Sequence, residues 1–298
     1  MHRMLLAGSA LLLSACSATA QTLPARPVES VRTGSLQAPD LRESSGVARS
    51  RAIPHILFTI NDSGNDPVIF ATDSSGRAIG RWLVPGVTNR DWEAITIGRC
   101  PAGSCIYLGD IGDNREQQAA VTIYRLREPV RIERFRGAPD ETPIDLETLL
   151  LRYPDGPHDT EAMWVDRDGN LSLVTKGRTG GISLFRVPAT AWEKRGTVVA
   201  TRVQLLPLRP DQSLGRWVTD AALSPDGARV AIRTYTELYL FPVLPAGRLG
   251  PPAARCSLAG LEPQGEGVEW LDDTRMVLTS EAPLPTTTGP IHVVRCGA

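Results

Sequence analysis

DWEAITIGRCPAGSCIYLGDIGDNREQQAAVTIYRL, residues 91–126, carries three landmarks in a fixed order. An acid, Glu93, opens a short apolar run. A polar loop, GDIGDN, follows at 109–114, and then an alternating strand, VTIYRL, at 121–126. The same triplet recurs four times. Glu43 in ESSGVA leads to NDSG at 61–64 and VIFATD. Glu161 in DTEAMWV leads to TKGRTG at 175–180 and ISLFRV. Asp220 in VTDAALS leads to RTYT at 233–236 and LYLFPV. Glu266 in GEGVEWL leads to TSEA at 279–282 and IHVVRC. The openings lie 46 to 68 residues apart. A four-stranded propeller blade takes about 40–50 residues, and one such unit cannot bury both of its faces alone. The expected fold is therefore all-β: a β-propeller with five visible repeats, that is, five or six blades of four-stranded antiparallel sheet. A sixth, degenerate blade and a composite blade closed by the N-terminal strand are both open.

Strand signals fill the chain outside these landmarks. HILFTI (55–60), CIYLGD (105–110), LSLVTK (171–176), RVAIRTY (229–235) and RMVLTS (275–280) alternate and carry β-branched or aromatic residues. Turn signals separate them, among them SSG at 74–76, RDGN at 167–170, SPDG at 224–227 and LDDT at 271–274. DLETLLL at 145–151 suits either a short helix or an outer strand. Longer outer loops are expected around 128–158 and 188–216. Residues 21–40 read as a linker running into a first strand, and 41–298 as one propeller domain.

The N-terminus reads as an export signal. Met1-His2-Arg3 is a short basic start, and Met4 to Leu13 is apolar but too short to span a bilayer. Leu13-Ser14-Ala15-Cys16 resembles the lipobox of bacterial lipoproteins, which implies acylation at Cys16 and a membrane anchor. Simple secretion, with cleavage after Ala18-Thr19-Ala20, is the rival within residues 1–20. Either reading places the mature chain in the cell envelope or periplasm. The formal charge of −1 supplies no general attraction to nucleic acid, and a monomer is expected.

Without Cys16, four cysteines remain, and three pairings are open. Cys100 and Cys105 flank PAGS, a turn between two strand-like runs, so a hairpin bridge is natural. Cys256 then pairs with Cys296. Four free buried thiols are the competing reading. A zinc site lacks the usual ligand spacing.

Two family resemblances attach to specific motifs. VTDAALSPDGARVAIR resembles the repeat of TolB-type propellers. More widely, ESSGVA, NDSGN, DWEAI, GDIGDN, TIYRL, DTEAM and EGVEW resemble a group of exported bacterial propellers similar to the β-propeller phytases and esterase-like phytases. The resemblance spans nearly all of 41–298. It implies calcium ions at the propeller face and hydrolysis of a phosphomonoester by a metal-activated water.

In a propeller, the starts of the innermost strands face one another at one channel mouth. Glu43, Glu93, Glu161, Asp220 and Glu266 would then form a ring of carboxylates. Such a ring cannot ionise fully without compensation. Ca²⁺ takes six to eight oxygen ligands and is the expected ion. Asp62, Asp91, Asp110 and Asp159 add oxygens nearby, and Asp91/Glu93 and Asp159/Glu161 are spaced to point the same way on a strand. Hydrogen bonding to turn amides is the structural alternative for every one of them. Lys176 and Arg233 fall at the second landmark of the third and fourth repeats. They are candidates for contacting an anion, or simply for neutralising the ring. No G-x-S-x-G or H-E-x-x-H signature exists.

Three functions follow as expectations. The first is an envelope-anchored, calcium-binding module for a small anionic ligand or a protein partner. The second is a phytase-like phosphomonoesterase using Glu93 and Glu161. The third is a metal-dependent sugar lactonase.

Overall fold

The computed structural model describes residues 23–131, 140–141, 145–286 and 288–297. The signal segment and Cys16 lie outside the described residues. The chain forms five small sheets, each with a core of antiparallel strands, and short parallel edge strands extend three of them. The innermost strands are Ser44–Arg49, Trp92–Cys100, Thr160–Val165, Val218–Leu223 and Gly265–Trp270. Each packs against the next, and the last packs against the first, so the ring closes. The protein is a five-bladed β-propeller.

Closure uses the N-terminal strand. Glu29–Ser35 pairs antiparallel with Pro290–Arg295 and becomes the outermost strand of blade five. The composite blade is thus the arrangement adopted. DLETLLL falls in the outer strand of blade two, Glu147–Arg152, paired with Val121–Arg127. The long intervals at 128–158 and 188–216 therefore hold outer strands, including Thr201–Leu205 in blade three, as well as loops.

Blade faces are apolar because each is buried by its neighbour. Five hydrophobic clusters lie at the five blade–blade interfaces. Trp92 joins Phe58 and Ile69 between blades one and two. Trp270, between blades four and five, donates its indole N–H to the Ala222 carbonyl at 3.1 Å. Most tryptophans beside the acidic openings are packing residues of this kind.

Both disulfides are present. Cys100–Cys105 ties the ends of the first hairpin of blade two. Cys256–Cys296 joins the outer strand of blade four to the end of blade five, with Cα atoms 5.7 Å apart.

Candidate metal centre at the channel mouth

One irregularity repeats in every blade. The first two strands of each pair in regular register except for one extra residue on the innermost strand. That residue is Ser45, Glu93, Glu161, Thr219 or Glu266. A β-bulge leaves its extra residue outside the ladder and re-aims its side chain. Five equivalent bulges therefore ring one mouth of the channel with three carboxylates and two hydroxyls.

This register corrects the sequence alignment at two blades. Glu43 lies two residues before its bulge, is exposed, and accepts a hydrogen bond from Asn65 at 2.6 Å. Asp220 lies one residue after its bulge, at the position occupied by Gly46, Ala94, Ala162 and Gly267 elsewhere. Its carboxylate accepts from the Val268 and Ala221 amides at 2.8 and 2.7 Å. It secures blade four to blade five in the manner of the structural alternative.

The residue that follows the facing strand position is a second equivalent set: Asp62, Ile111, Lys176, Tyr235 and Glu281. Lys176, not Arg233, is the cation of the mouth. Its Nζ donates to Glu161 Oε1 at 2.7 Å, and both residues are buried. Glu161, Glu93, Tyr235 and Glu266 all act on Lys176 electrostatically and hold its pKa far above the usual lysine range, against the opposing cost of burial. Arg233 is fully buried elsewhere, with Nη2 2.8 Å from Glu262 and Nη1 2.8 Å from the Gly267 carbonyl. It offers nothing to a ligand in the mouth.

Beside this pair, carboxylate oxygens of Asp62, Asp91 and Glu93 lie within 4.8 Å of one another. Glu93 is buried, and Ser45 Oγ donates to its Oε2 at 2.9 Å. Burial first, then the charges of Glu161 and Asp62, push Glu93 well above the ordinary carboxylate range. Burial and the neighbouring Asp62 and Asp159 raise Asp91 to about 6. Glu266 is pushed well up by burial and by Glu161, and Glu281 to about 7 by burial with Asp62 and Glu43. The mouth gathers more negative charge than Lys176 offsets. Arg90 offsets part of it at Asp91, and protons or a bound cation would relieve the rest.

The chain backbone is shaped to allow this crowding. A Cβ placed on Gly112 would come within 2.5 Å of the Asp91 carboxylate and 2.9 Å of Glu93 Cγ. In GDIGDN the glycine is thus required by the close approach of the two acids.

The other sequence candidates position rather than join the cluster. Asp110 accepts from the Asp91 amide at 2.9 Å and faces Arg90 Nε at 3.4 Å. Asp159 is fully buried and accepts from the Asp113 amide at 2.9 Å and Arg178 Nε at 2.7 Å. Arg178 in turn stacks over Trp217, 4.5 Å from the ring centroid, at the rim. Sequence reasoning missed Ser45, Tyr235 and Glu281 as members of the mouth. The signal for the last two was positional: each directly follows the end of the second strand of its blade.

No protein-family profile and no curated protein matches the chain. Among solved structures it is similar to the PQQ-bound form of an aldose sugar dehydrogenase from Streptomyces coelicolor. The identity is 14%, the TM-score 0.52, and the match covers 92% of this chain and 100% of that one. It is also similar to a gluconolactonase from Xanthomonas campestris, at 13% identity and TM-score 0.47, covering 96% and 94% of the two chains. At such identities the likeness is one of fold. The phytase-like and TolB-type resemblances rest on their motifs, and the propeller they imply is the architecture observed.

Proposed function

We propose that the channel mouth binds Ca²⁺ on Asp62, Asp91 and Glu93 and hydrolyses a neutral ester of the sugar-lactone class. The observation that carries this reading is the juxtaposition of that triad with the Lys176–Glu161 pair. An all-oxygen donor set with raised carboxylate pKa values suits a hard cation, which relieves both the desolvation and the mutual repulsion. When bound, such a cation polarises an ester carbonyl and acidifies its water.

The chain's own residues divide the remaining work. Asp62, Asp91 and Glu93 hold the ion, with Ser45 fixing the Glu93 carboxylate. Lys176 lies against Glu161 and stabilises negative charge developing on a carbonyl oxygen. Glu161, raised to about 8 by burial although Lys176 opposes the shift, titrates close enough to neutral pH to hold and release a proton in the reaction. The excess of carboxylates favours an uncharged substrate. A phosphomonoester would meet six acids, Asp62, Asp91, Glu93, Glu161, Glu266 and Glu281, while Arg233 is engaged by Glu262.

The test is calorimetric titration with Ca²⁺ together with hydrolysis of glucono-lactone and of a chromogenic phosphomonoester, with and without the ion. Calcium-dependent lactone opening is the expected result. Ca²⁺ binding without turnover of either substrate would support the binding-module reading instead, and absence of Ca²⁺ binding would remove both. Export, with acylation at Cys16 as the anchor, completes the proposal and is consistent with the two disulfides.

A further inference from the structure

The opposite mouth of the same channel has a different chemistry. A cavity of about 390 Å³ opens there, lined by the far halves of all five innermost strands. Its charged lining consists of Arg49, Arg51, Arg167 and Glu269. This mouth is basic, whereas the other is acidic, and four residues of strand, about 13 Å, separate Glu93 from the Ile97 lining.

No arginine of the lining makes a close side-chain pair with a carboxylate among the described residues, although Arg49 and Arg51 act on Glu269 and Arg167 on Asp226 at longer range. Arg49 Nε donates to the Trp270 carbonyl at 3.0 Å, and its two Nη groups have no partner among the described residues. Arg167 Nη2 donates to the backbone carbonyls of Asp226 and Pro225, which orient it without forming a carboxylate pair. The Arg51 side chain, exposed, has no hydrogen bond or ion pair among the described residues. Glu269 is the sole acid of the lining, and its carboxylate already accepts the Arg49 amide at 3.2 Å and the Trp270 amide at 2.7 Å. Three guanidinium groups face one lining carboxylate, and the Asp226 carboxylate near Arg167 offsets part of the excess, so the lining keeps a net positive charge. Thr96 and Trp164 add a hydroxyl and an aromatic wall.

We infer that this cavity is a binding site for a small phosphomonoester, with Arg49, Arg51 and Arg167 holding the phosphate dianion and Trp164 facing its organic body. Guanidinium groups match phosphate oxygens in pairs, and the net positive lining suits a phosphate anion. The volume admits a sugar-sized body. This inference is independent of the calcium reading, because no residue is shared between the two mouths.

The experiment is calorimetric titration of the full mature protein with glucose 6-phosphate, inorganic phosphate and glucose. Saturable binding of glucose 6-phosphate is expected, with inorganic phosphate weaker and glucose silent. The double variant Arg51→Ala/Arg167→Ala should weaken binding at least tenfold. Arg77→Ala, an exposed arginine on the outer turn of blade one, should leave it unchanged. Both altered arginines of the double variant are exposed, so a preserved melting temperature verifies folding. Absence of binding, or equal affinity in the wild type and the double variant, would overturn the site. Inorganic phosphate binding as tightly as the sugar phosphate would overturn the role of Trp164 and reduce the ligand to a bare oxyanion.

Discussion

Lys176 Nζ lies 2.7 Å from Glu161 Oε1 in the buried mouth of the channel, and Glu93 and Glu266 act on the same ammonium. One cation therefore serves three bulge carboxylates. Truncating one partner of a buried ion pair leaves the other uncompensated and typically costs about 3–5 kcal/mol. Lys176→Met is expected to lose that order of stability in urea unfolding. Adding Glu161→Gln should recover part of the loss. A Lys176→Met protein as stable as the wild type would mean that the mouth is neutralised by other means.

Ca²⁺ should stabilise the folded protein through the triad. At a hundred times its dissociation constant, a ligand specific for the folded state contributes about 2.7 kcal/mol. Glu93→Gln and Asp91→Asn should each lower Ca²⁺ affinity by roughly tenfold or more, equivalent to about 1.4 kcal/mol. The gain in melting temperature on adding Ca²⁺ should shrink accordingly. Thermal scans with EDTA and with Ca²⁺ provide the measurement. Identical shifts in the wild type and both variants would place the ion elsewhere.

Gly112→Ala tests the geometry without removing a charge. The added methyl meets the Asp91 carboxylate at 2.5 Å, closer than any ordinary contact, so the triad must spread. Ca²⁺ affinity is expected to fall about tenfold while the far-ultraviolet circular dichroism stays that of the wild type. Unchanged affinity would show that the acid spacing at the mouth is not what binds the ion.

At the basic mouth, burial raises Glu269 to about 7, although backbone hydrogen bonds from Arg49 and Trp270 pull it down. In the unfolded chain a glutamate titrates near ~4.3. Between these two values the folded protein holds the extra proton. Stability from this group is therefore full below about pH 4.3 and is lost as pH rises to about 7. Relative to Glu269→Gln, the wild type should lose stability across that window and stay level above it. Parallel stability–pH curves for the two proteins would contradict the assignment.

Cys256–Cys296 closes a loop of 40 residues between the last two blades. In the chain-entropy account this constraint contributes about 4 kcal/mol. The Cys256→Ser/Cys296→Ser variant should melt markedly lower, whereas Cys100→Ser/Cys105→Ser, which opens a loop of only 5 residues, should change less. Equal losses in the two variants would argue against loop entropy as the source.

The sequence carried the architecture because blade packing writes itself into local composition. Alternating apolar strands, turn residues and the recurrent triplet fixed five repeats, the strand content of 41–298 and the pairing of Cys100 with Cys105. It also marked Glu93, Glu161 and Glu266 as equivalent, and the structure places all three on bulges. What it misjudged was register. Glu43 and Asp220 open apolar runs just as Glu93 does, yet their side chains go to Asn65 and to backbone amides. The bulge positions of those blades are Ser45 and Thr219. Strand side chains alternate with period two, so a single inserted residue re-aims a side chain while leaving the hydrophobic pattern on either side intact. Lys176 and Arg233 show the same limit, since a displacement of two residues sends one to the mouth and the other into a pair with Glu262. By itself, then, the sequence determined the ring and the supply of acids. The tertiary structure alone decided which acids meet, because ladder register and blade closure, not spacing along the chain, set the distances between their oxygens.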